Sequence, residues 1–102
     1  MIFRNWLKHT RYFKISSCER NIKWDQGCFG YYFDYTPVTK GVDYLRKLVE
    51  KDSSITIGVD TLTDRQHATI YIKGSRKDLD HFLEVLYSRD VFFKCFKWEE
   101  IK

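Results

Sequence analysis

Residues 39–73 show the clearest change in the spacing of apolar positions along the chain. One face of a predicted helix that begins near Thr39 carries Val42, Leu45, Leu48 and Val49. Apolar positions three, three and one residues apart are typical of such a face, and this helix is predicted to end at residues 52–54.

Strict alternation then predicts two half-buried strands. The inward positions of these strands are Ile55, Ile57 and Val59 in the first and Ala68, Ile70 and Ile72 in the second. A turn across residues 61–66 would join them into a hairpin.

Helical spacing returns after Gly74. Ser75 followed by Asp78 resembles a capping box, in which the first side chain accepts a backbone N–H at the helix start. The buried stripe of this second helix is predicted to consist of Leu79, Phe82, Leu83 and Leu86. The helix is predicted to end at residues 89–90. Residues 91–98 are rich in β-branched and aromatic side chains, which favours a last strand.

The first third of the chain is predicted to contain further strands. They cover residues 12–15, 22–24 and 28–35, with residues 25–27 as a hairpin loop. From residue 28 onward the order of elements is similar to the ferredoxin-like βαββαβ order. The predicted fold is therefore α+β, an antiparallel sheet with two helices on one face plus an N-terminal hairpin. Because the first ferredoxin-like strand is central, that hairpin would compete for its edge, and a different sheet covered by two helices stays open.

Composition indicates a folded chain that forms a single domain, residues 1–102, because no linker or repeat divides it. Hydrophobic residues make up 43% and aromatic residues 18%, which excludes a disordered chain. No apolar run approaches the roughly 20 residues of a membrane span, so no membrane partner is expected. The first residues lack the features of a secretory signal, which predicts a cytoplasmic location. The odd set of Cys18, Cys28 and Cys95 predicts reduced thiols.

Chemistry-bearing residues are scattered along the chain. Cys18 and Cys28, the closest cysteines, are ten residues apart, and the histidines stand at positions 9, 67 and 81. A metal centre needs several such ligands at close spacing, and a thiol enzyme needs a cysteine with an activating histidine. We therefore expect no metal, no cofactor and no enzymatic activity.

Positive charge is concentrated at the start of the chain. The net charge of +4 divides into +5 for residues 1–24 and −1 for the remainder. Basic and aromatic side chains alternate there, which suits phosphate neutralisation and base stacking. On this alternative the nucleic-acid-binding residues are Arg11, Lys14, Arg20 and Trp24. An RNA-recognition motif is disfavoured, because Tyr71 is the only outward aromatic residue of the third ferredoxin-like strand.

The chain resembles the immunity proteins of bacterial toxin systems, and more narrowly those of contact-dependent growth inhibition. The resemblance runs in length and style from residues 1–6 (MIFRNW) to residues 96–100 (FKWEE), in a motif-free domain rich in aromatic residues and in charges of both signs. It implies a cytosolic protein that binds the toxin domain of its own system, commonly a nuclease, and blocks its active site or substrate surface. It carries over no site residues.

The main functional prediction is therefore a protein that neutralises a cognate toxin in a tight stoichiometric complex. Because toxins that act on nucleic acid often present basic surfaces, acidic outward groups are the predicted contacts. These partner-binding residues are Asp78, Asp80 and Glu84 of the second helix, with Asp60 and Asp64 near the hairpin. For each, a solvated surface with local ion pairs is the alternative. Exposed aromatic rings also leave a homodimer possible.

Overall fold

A computed structural model describes residues 8–22 and 32–102, with only the backbone described in residues 19–22 and 32–35. The elements in chain order are β1 (His9–Ser17), β2 (Glu19–Ile22), β3 (Tyr32–Tyr35), α1 (Val38–Leu48), β4 (Thr56–Asp64), β5 (His67–Gly74), α2 (Arg76–Tyr87), α3 (Asp90–Cys95) and β6 (Phe96–Ile101). They confirm the α+β class, the two predicted helices and the hairpin of β4 and β5.

Four strands form one antiparallel sheet in the order β4-β5-β1-β6. β1 is paired on both sides. Phe13 lies opposite Ile70 of β5 on one side and opposite Glu100 of β6 on the other. β2 and β3 pair with each other in a separate two-stranded sheet. The predicted strand at residues 12–15 is therefore the middle of a nine-residue central strand.

The ferredoxin-like order from residue 28 onward is not confirmed. Within the described part of the chain, residues 32–35 pair only with β2, and β1 holds the central place that the prediction gave to residues 28–35. Burial explains the difference, because the alternating Phe13 and Ile15 of β1 are completely buried. Pairing of β2 with β3 supports the predicted N-terminal hairpin, whose loop at residues 25–27 lies outside the described residues.

The prediction of a strand over residues 91–98 is wrong for its first half. Residues 90–95 form α3, and the strand runs from Phe96 to Ile101. The short helix buries the Phe92 ring, whose centroid lies 5.1 Å from that of Phe96 and 5.7 Å from that of Tyr44. Intrinsic β-propensity does not record such contacts, which is why it gave the wrong element here.

The hydrophobic core lies between one face of the sheet and the three helices. Its buried members are Phe13, Ile15, Val38, Val42, Leu45, Ile55, Ile57, Ala68, Ile70, Ile72, Leu79, Phe82, Leu83, Leu86, Phe92 and Phe96. The closest approach of α1 to the sheet is at Gly41, where an added Cβ would lie 2.8 Å from Ile15 Cδ1 and 2.9 Å from Phe96 Cζ. A glycine in the middle of a helix costs about 1 kcal/mol relative to alanine, and here it allows the close packing.

Gly41→Leu is expected to lower the free energy of unfolding by about 2 kcal/mol, because the added side chain overpacks the contact with Ile15 and Phe96. Lys40→Leu, at an exposed neighbouring position, is expected to change it by less than about 0.5 kcal/mol. Urea unfolding followed by circular dichroism measures both. Equal stability of the two variants would contradict the close approach of α1 to the sheet.

Candidate functional site

The face of the sheet opposite the helices carries a continuous set of polar and aromatic side chains. Alternation along each strand places one set of side chains in the core and the other on this second face, here called the open face. Its members are Thr10, Tyr12, Lys14 and Ser16 of β1, His67, Thr69, Tyr71 and Lys73 of β5, Thr56 and Gly58 of β4, and Lys97, Glu99 and Ile101 of β6. The helices do not cover this face.

Two tyrosines occupy opposed positions at the centre of the open face. Tyr12 of β1 is directly opposite Tyr71 of β5, and Tyr71 is directly opposite Gly58 of β4. The phenol end of Tyr71 occupies the space that a side chain at position 58 would need, so the ring lies across β4 and buries the glycine. Tyr12 is 42% exposed. The register therefore puts two aromatic rings on one face, Tyr12 on β1 and the Tyr71 phenol over β4, here called the aromatic platform.

Lysines surround this platform. Lys8, Lys73 and the two tyrosines line one shallow depression of about 420 Å³, together with Thr10, Thr56 and Asp60. Lys14 lies on the next row of the sheet, opposite Thr69 and Glu99, and Lys97 lies opposite Ser16. Four ammonium groups against the carboxylates of Asp60 and Glu99 give the open face a net positive charge.

The structure separates the predicted nucleic-acid-binding residues. Lys14 lies on the open face, but Arg11 lies on the helix side of β1, where its Nε and Nη2 atoms donate to the carboxylate of Glu100 at 2.8 and 2.6 Å. This hydrogen bonding raises the pKa of Arg11 and lowers that of Glu100. Arg20 lies in β2, and Trp24 lies outside the described residues.

Asp78 is held by contacts within the fold. Its Oδ2 atom accepts hydrogen bonds from the backbone N–H and the hydroxyl of Ser54 at 2.9 and 2.6 Å. These bonds lower the pKa of Asp78. Ser75 caps α2 by accepting from the Asp78 N–H, and the Ser75 N–H donates to Ser54 Oγ instead of to an acidic side chain. Ser75 and Asp78, which the sequence indicates as a cap, therefore also join α2 to the segment before β4.

The other four predicted acidic contacts lie at different places. Asp64 accepts from the Gln66 N–H at 2.7 Å and lies 2.9 Å from His67 Nδ1, and both contacts lower its pKa. Asp60 is at the rim of the open-face depression. Asp80 and Glu84 line a shallow hollow of about 390 Å³ on the helix side with Arg11, Leu83 and Tyr87.

Sequence reasoning missed Lys8, Lys73 and Gly58 as parts of a site. The alternation of apolar residues predicts an outward position for Tyr71, which the structure has. Sequence reasoning lacked the pairing of β1 with β5, which joins residues about 60 positions apart and brings Tyr12 beside Tyr71. The one local signal was the glycine at an outward position of β4, which is typical of a close approach by another group.

The described residues show neither a metal-binding cluster nor a long apolar helix. Among residues 8–22 and 32–102 no three histidine, cysteine or acidic side chains lie together so that they could hold a metal ion. Within the same ranges, no helix has the length and apolar character needed to cross a membrane. No family model, no curated protein and no solved structure matches this chain.

Asp78→Ala is expected to lower the free energy of unfolding by about 1–2 kcal/mol, because Ser54 loses its acceptor. The folded-state pKa of Asp78 lies below its ordinary value of 3.8. Its contribution to stability is therefore complete above the unfolded pKa and is lost as the pH falls through the folded pKa, that is below about pH 5. Asp78→Asn is expected to remove this part of the acid dependence.

Urea unfolding of the wild type and Asp78→Asn between about pH 7 and about pH 3 measures this difference. The wild type should lose more stability than the variant over that interval. Equal losses would contradict a structural role for the Asp78 carboxylate. Exposed Asp80→Asn is the matched control and should behave as the wild type does.

Proposed function

We propose that this chain binds single-stranded nucleic acid on the open face of its four-stranded sheet. The observation that supports the proposal is the pair of tyrosines, Tyr12 and Tyr71, which the register places at opposed positions of neighbouring strands, with lysines around them. The tyrosines alone or the lysines alone would not indicate nucleic-acid binding, because aromatic rings also stabilise sheets and lysines also solubilise surfaces.

Stacking explains the role of the two rings. Bases of a single strand can be splayed out and stacked on aromatic side chains, and each such contact is worth about 1–3 kcal/mol. Tyr71 lies across Gly58 and so offers a broad surface next to Tyr12. Tyr12 on β1 and the Tyr71 phenol over β4 lie on the same face of the sheet, so each ring can receive a base of one strand.

Electrostatics explains the role of the lysines. Lys8 and Lys73 flank the tyrosines in one depression, and Lys14 stands on the adjacent row. A single strand that stacks on the rings would bring its phosphates within reach of these ammonium groups, with release of counterions. The platform is shallow and broad. Such a surface suits a single strand with unpaired bases better than it suits a duplex, whose grooves are rigid.

Tyr12→Ala and Tyr71→Ala are each expected to weaken binding of a single-stranded oligonucleotide at least about tenfold, with little change in the salt dependence, because each removes a stacking surface. Lys14→Gln is expected to make the logarithmic salt slope shallower by about 0.7, the value for one lost phosphate contact. Fluorescence anisotropy at several salt concentrations measures both quantities.

The matched control is Tyr87→Ala, which removes a 53% exposed tyrosine on the helix side of the molecule. It is expected to leave binding unchanged. Salt-independent binding, tighter binding to a duplex of the same sequence, or equal losses from Tyr87→Ala and Tyr12→Ala would contradict the proposal.

A cytoplasmic location is part of this proposal. Single-stranded nucleic acid is available there, and Cys18 and Cys95 carry free thiols, as proteins of a reducing compartment do.

One surface on the helix side favours a second candidate function, the toxin-neutralising complex. Asp80, Glu84 and Tyr87 are exposed on one face of α2, at spacings of four and three residues. An exposed aromatic ring with acidic neighbours is the composition expected of an anchor and charged rim for a basic partner. A nuclease domain with a basic substrate surface is the partner class that this surface fits.

The double variant Asp80→Lys/Glu84→Lys is expected to lose co-purification with a toxin encoded immediately upstream and to lose protection of cells from that toxin. Charge reversal places like charges against the partner, which costs several kcal/mol at an interface. Asp60→Lys, on the other face of the sheet, is the control and should keep both. Full protection by the double variant would contradict this candidate.

A further inference from the structure

The two outer edges of the four-stranded sheet differ. The edge at β4 is blocked, since Arg46 of α1 donates from Nε and Nη2 to the carbonyl oxygen of Ile57 at 3.2 and 3.1 Å. Its pairing with β5 also shifts register twice, between Val59 and Thr61 and between Leu62 and Asp64. Irregular, covered edges resist pairing with another chain.

The edge at β6 is regular. Six successive residues pair with β1 without a register shift. Within the described ranges, no side chain makes a hydrogen bond to the backbone of β6. The Trp98 ring stacks on Phe13, with ring centroids 4.4 Å apart, so it leans towards β1 and away from this edge. Such an edge presents a row of free backbone donors and acceptors.

Hydrogen bonds at the end of β1 show which β6 residues point to this edge. The Ser17 N–H donates to the Gln66 carbonyl, on the β5 side, and the Cys18 N–H donates to the Cys95 carbonyl, on the β6 side. Because backbone groups alternate in direction along a strand, the even-numbered residues of β1 bond towards β6, opposite positions 97, 99 and 101. The backbone groups of Phe96, Trp98 and Glu100 therefore point outward.

Charge then distinguishes the possible registers of self-pairing. When two copies of β6 pair antiparallel, an outward-pointing residue of one copy lies opposite an outward-pointing residue of the other. The two-fold axis therefore passes through position 97, 98 or 99 if most of the strand is paired. An axis at Lys97 opposes two lysines, and an axis at Glu99 opposes two glutamates. An axis at Trp98 places Lys97 of each copy opposite Glu99 of the other. Two pairs of opposite charge then lie on the open face.

We propose that β6 is a self-association edge, at which two copies of this chain pair antiparallel about Trp98. The contact is isologous and joins the two sheets into one of eight strands. The blocked edge at β4 closes the assembly at two copies. The open faces of both copies then lie on the same side of one sheet, whether or not they bind nucleic acid.

Sedimentation velocity across a concentration series tests the association. An edge of six residues buries less surface than a standard interface, so a dimer with a dissociation constant between about 1 µM and about 1 mM is expected. A chain that remains monomeric at about 1 mM would overturn the proposal.

Charge reversal tests the register. Lys97→Glu and Glu99→Lys are each expected to raise the dimer dissociation constant at least about tenfold, because each replaces two attractive pairs by two repulsive ones. The double variant Lys97→Glu/Glu99→Lys restores opposite charges and is expected to return to within about threefold of the wild type. Both positions are exposed, and thermal unfolding checks that each variant is folded.

Lys47→Glu and Glu84→Lys are the matched controls, since they make the same charge changes at exposed positions of α1 and α2. They should leave the dissociation constant unchanged. A dimer that both single variants weaken and the double variant does not restore would overturn pairing about Trp98. Equal weakening by the control variants would overturn it as well, since net charge alone would then explain the effect.

Discussion

The pairing of β1 on both sides is the constraint on which the other features of the molecule depend. Phe13 and Ile15 of this strand are completely buried, and the strand joins the hairpin of β4 and β5 to the C-terminal strand β6. These contacts link residues far apart in the chain, so the loop-closure entropy they cost must be offset by the burial they allow. Gly41 lets α1 approach this central strand closely.

The same strand organises both faces of the sheet. Its odd-numbered side chains point to the helix side, where Phe13 and Ile15 enter the core, and its even-numbered ones fall on the open face, where Tyr12 is opposite Tyr71. A shift of one residue in this register would exchange the two sets and bury Lys14. Core packing and the composition of the candidate binding face are therefore set by one alignment, and the position of β6 at an outer edge of the sheet, among the described strands, follows from the strand order.

Local signals in the sequence were sufficient for the elements that alternate or repeat cleanly. The two main helices, the β4–β5 hairpin and the Ser75 cap could all be predicted, because periodicity and capping depend on neighbouring residues. The place of β1 could not, since its apolar alternation is short, with Arg11 at an inward position, and its partners lie in the second half of the chain. Lys14 was a candidate because it lies in the basic N-terminal segment, whereas only the pairing of β1 with β5 brings Lys8 and Lys73 together at one site. Arg11 looked equivalent to Lys14, yet its ion pair with Glu100 lies on the opposite face.

Nuclear magnetic resonance titration with a short single-stranded oligonucleotide decides whether the open face binds nucleic acid, because it observes every backbone amide at once. Binding at the open face should cause the largest shift changes in the amides of β1 and β5 around Tyr12 and Tyr71, with smaller changes around Lys14 and Lys73. The outward residues of α1 and α2 should remain unaffected. Shift changes confined to α2 around Asp80 and Glu84, or none at saturating oligonucleotide, would contradict it.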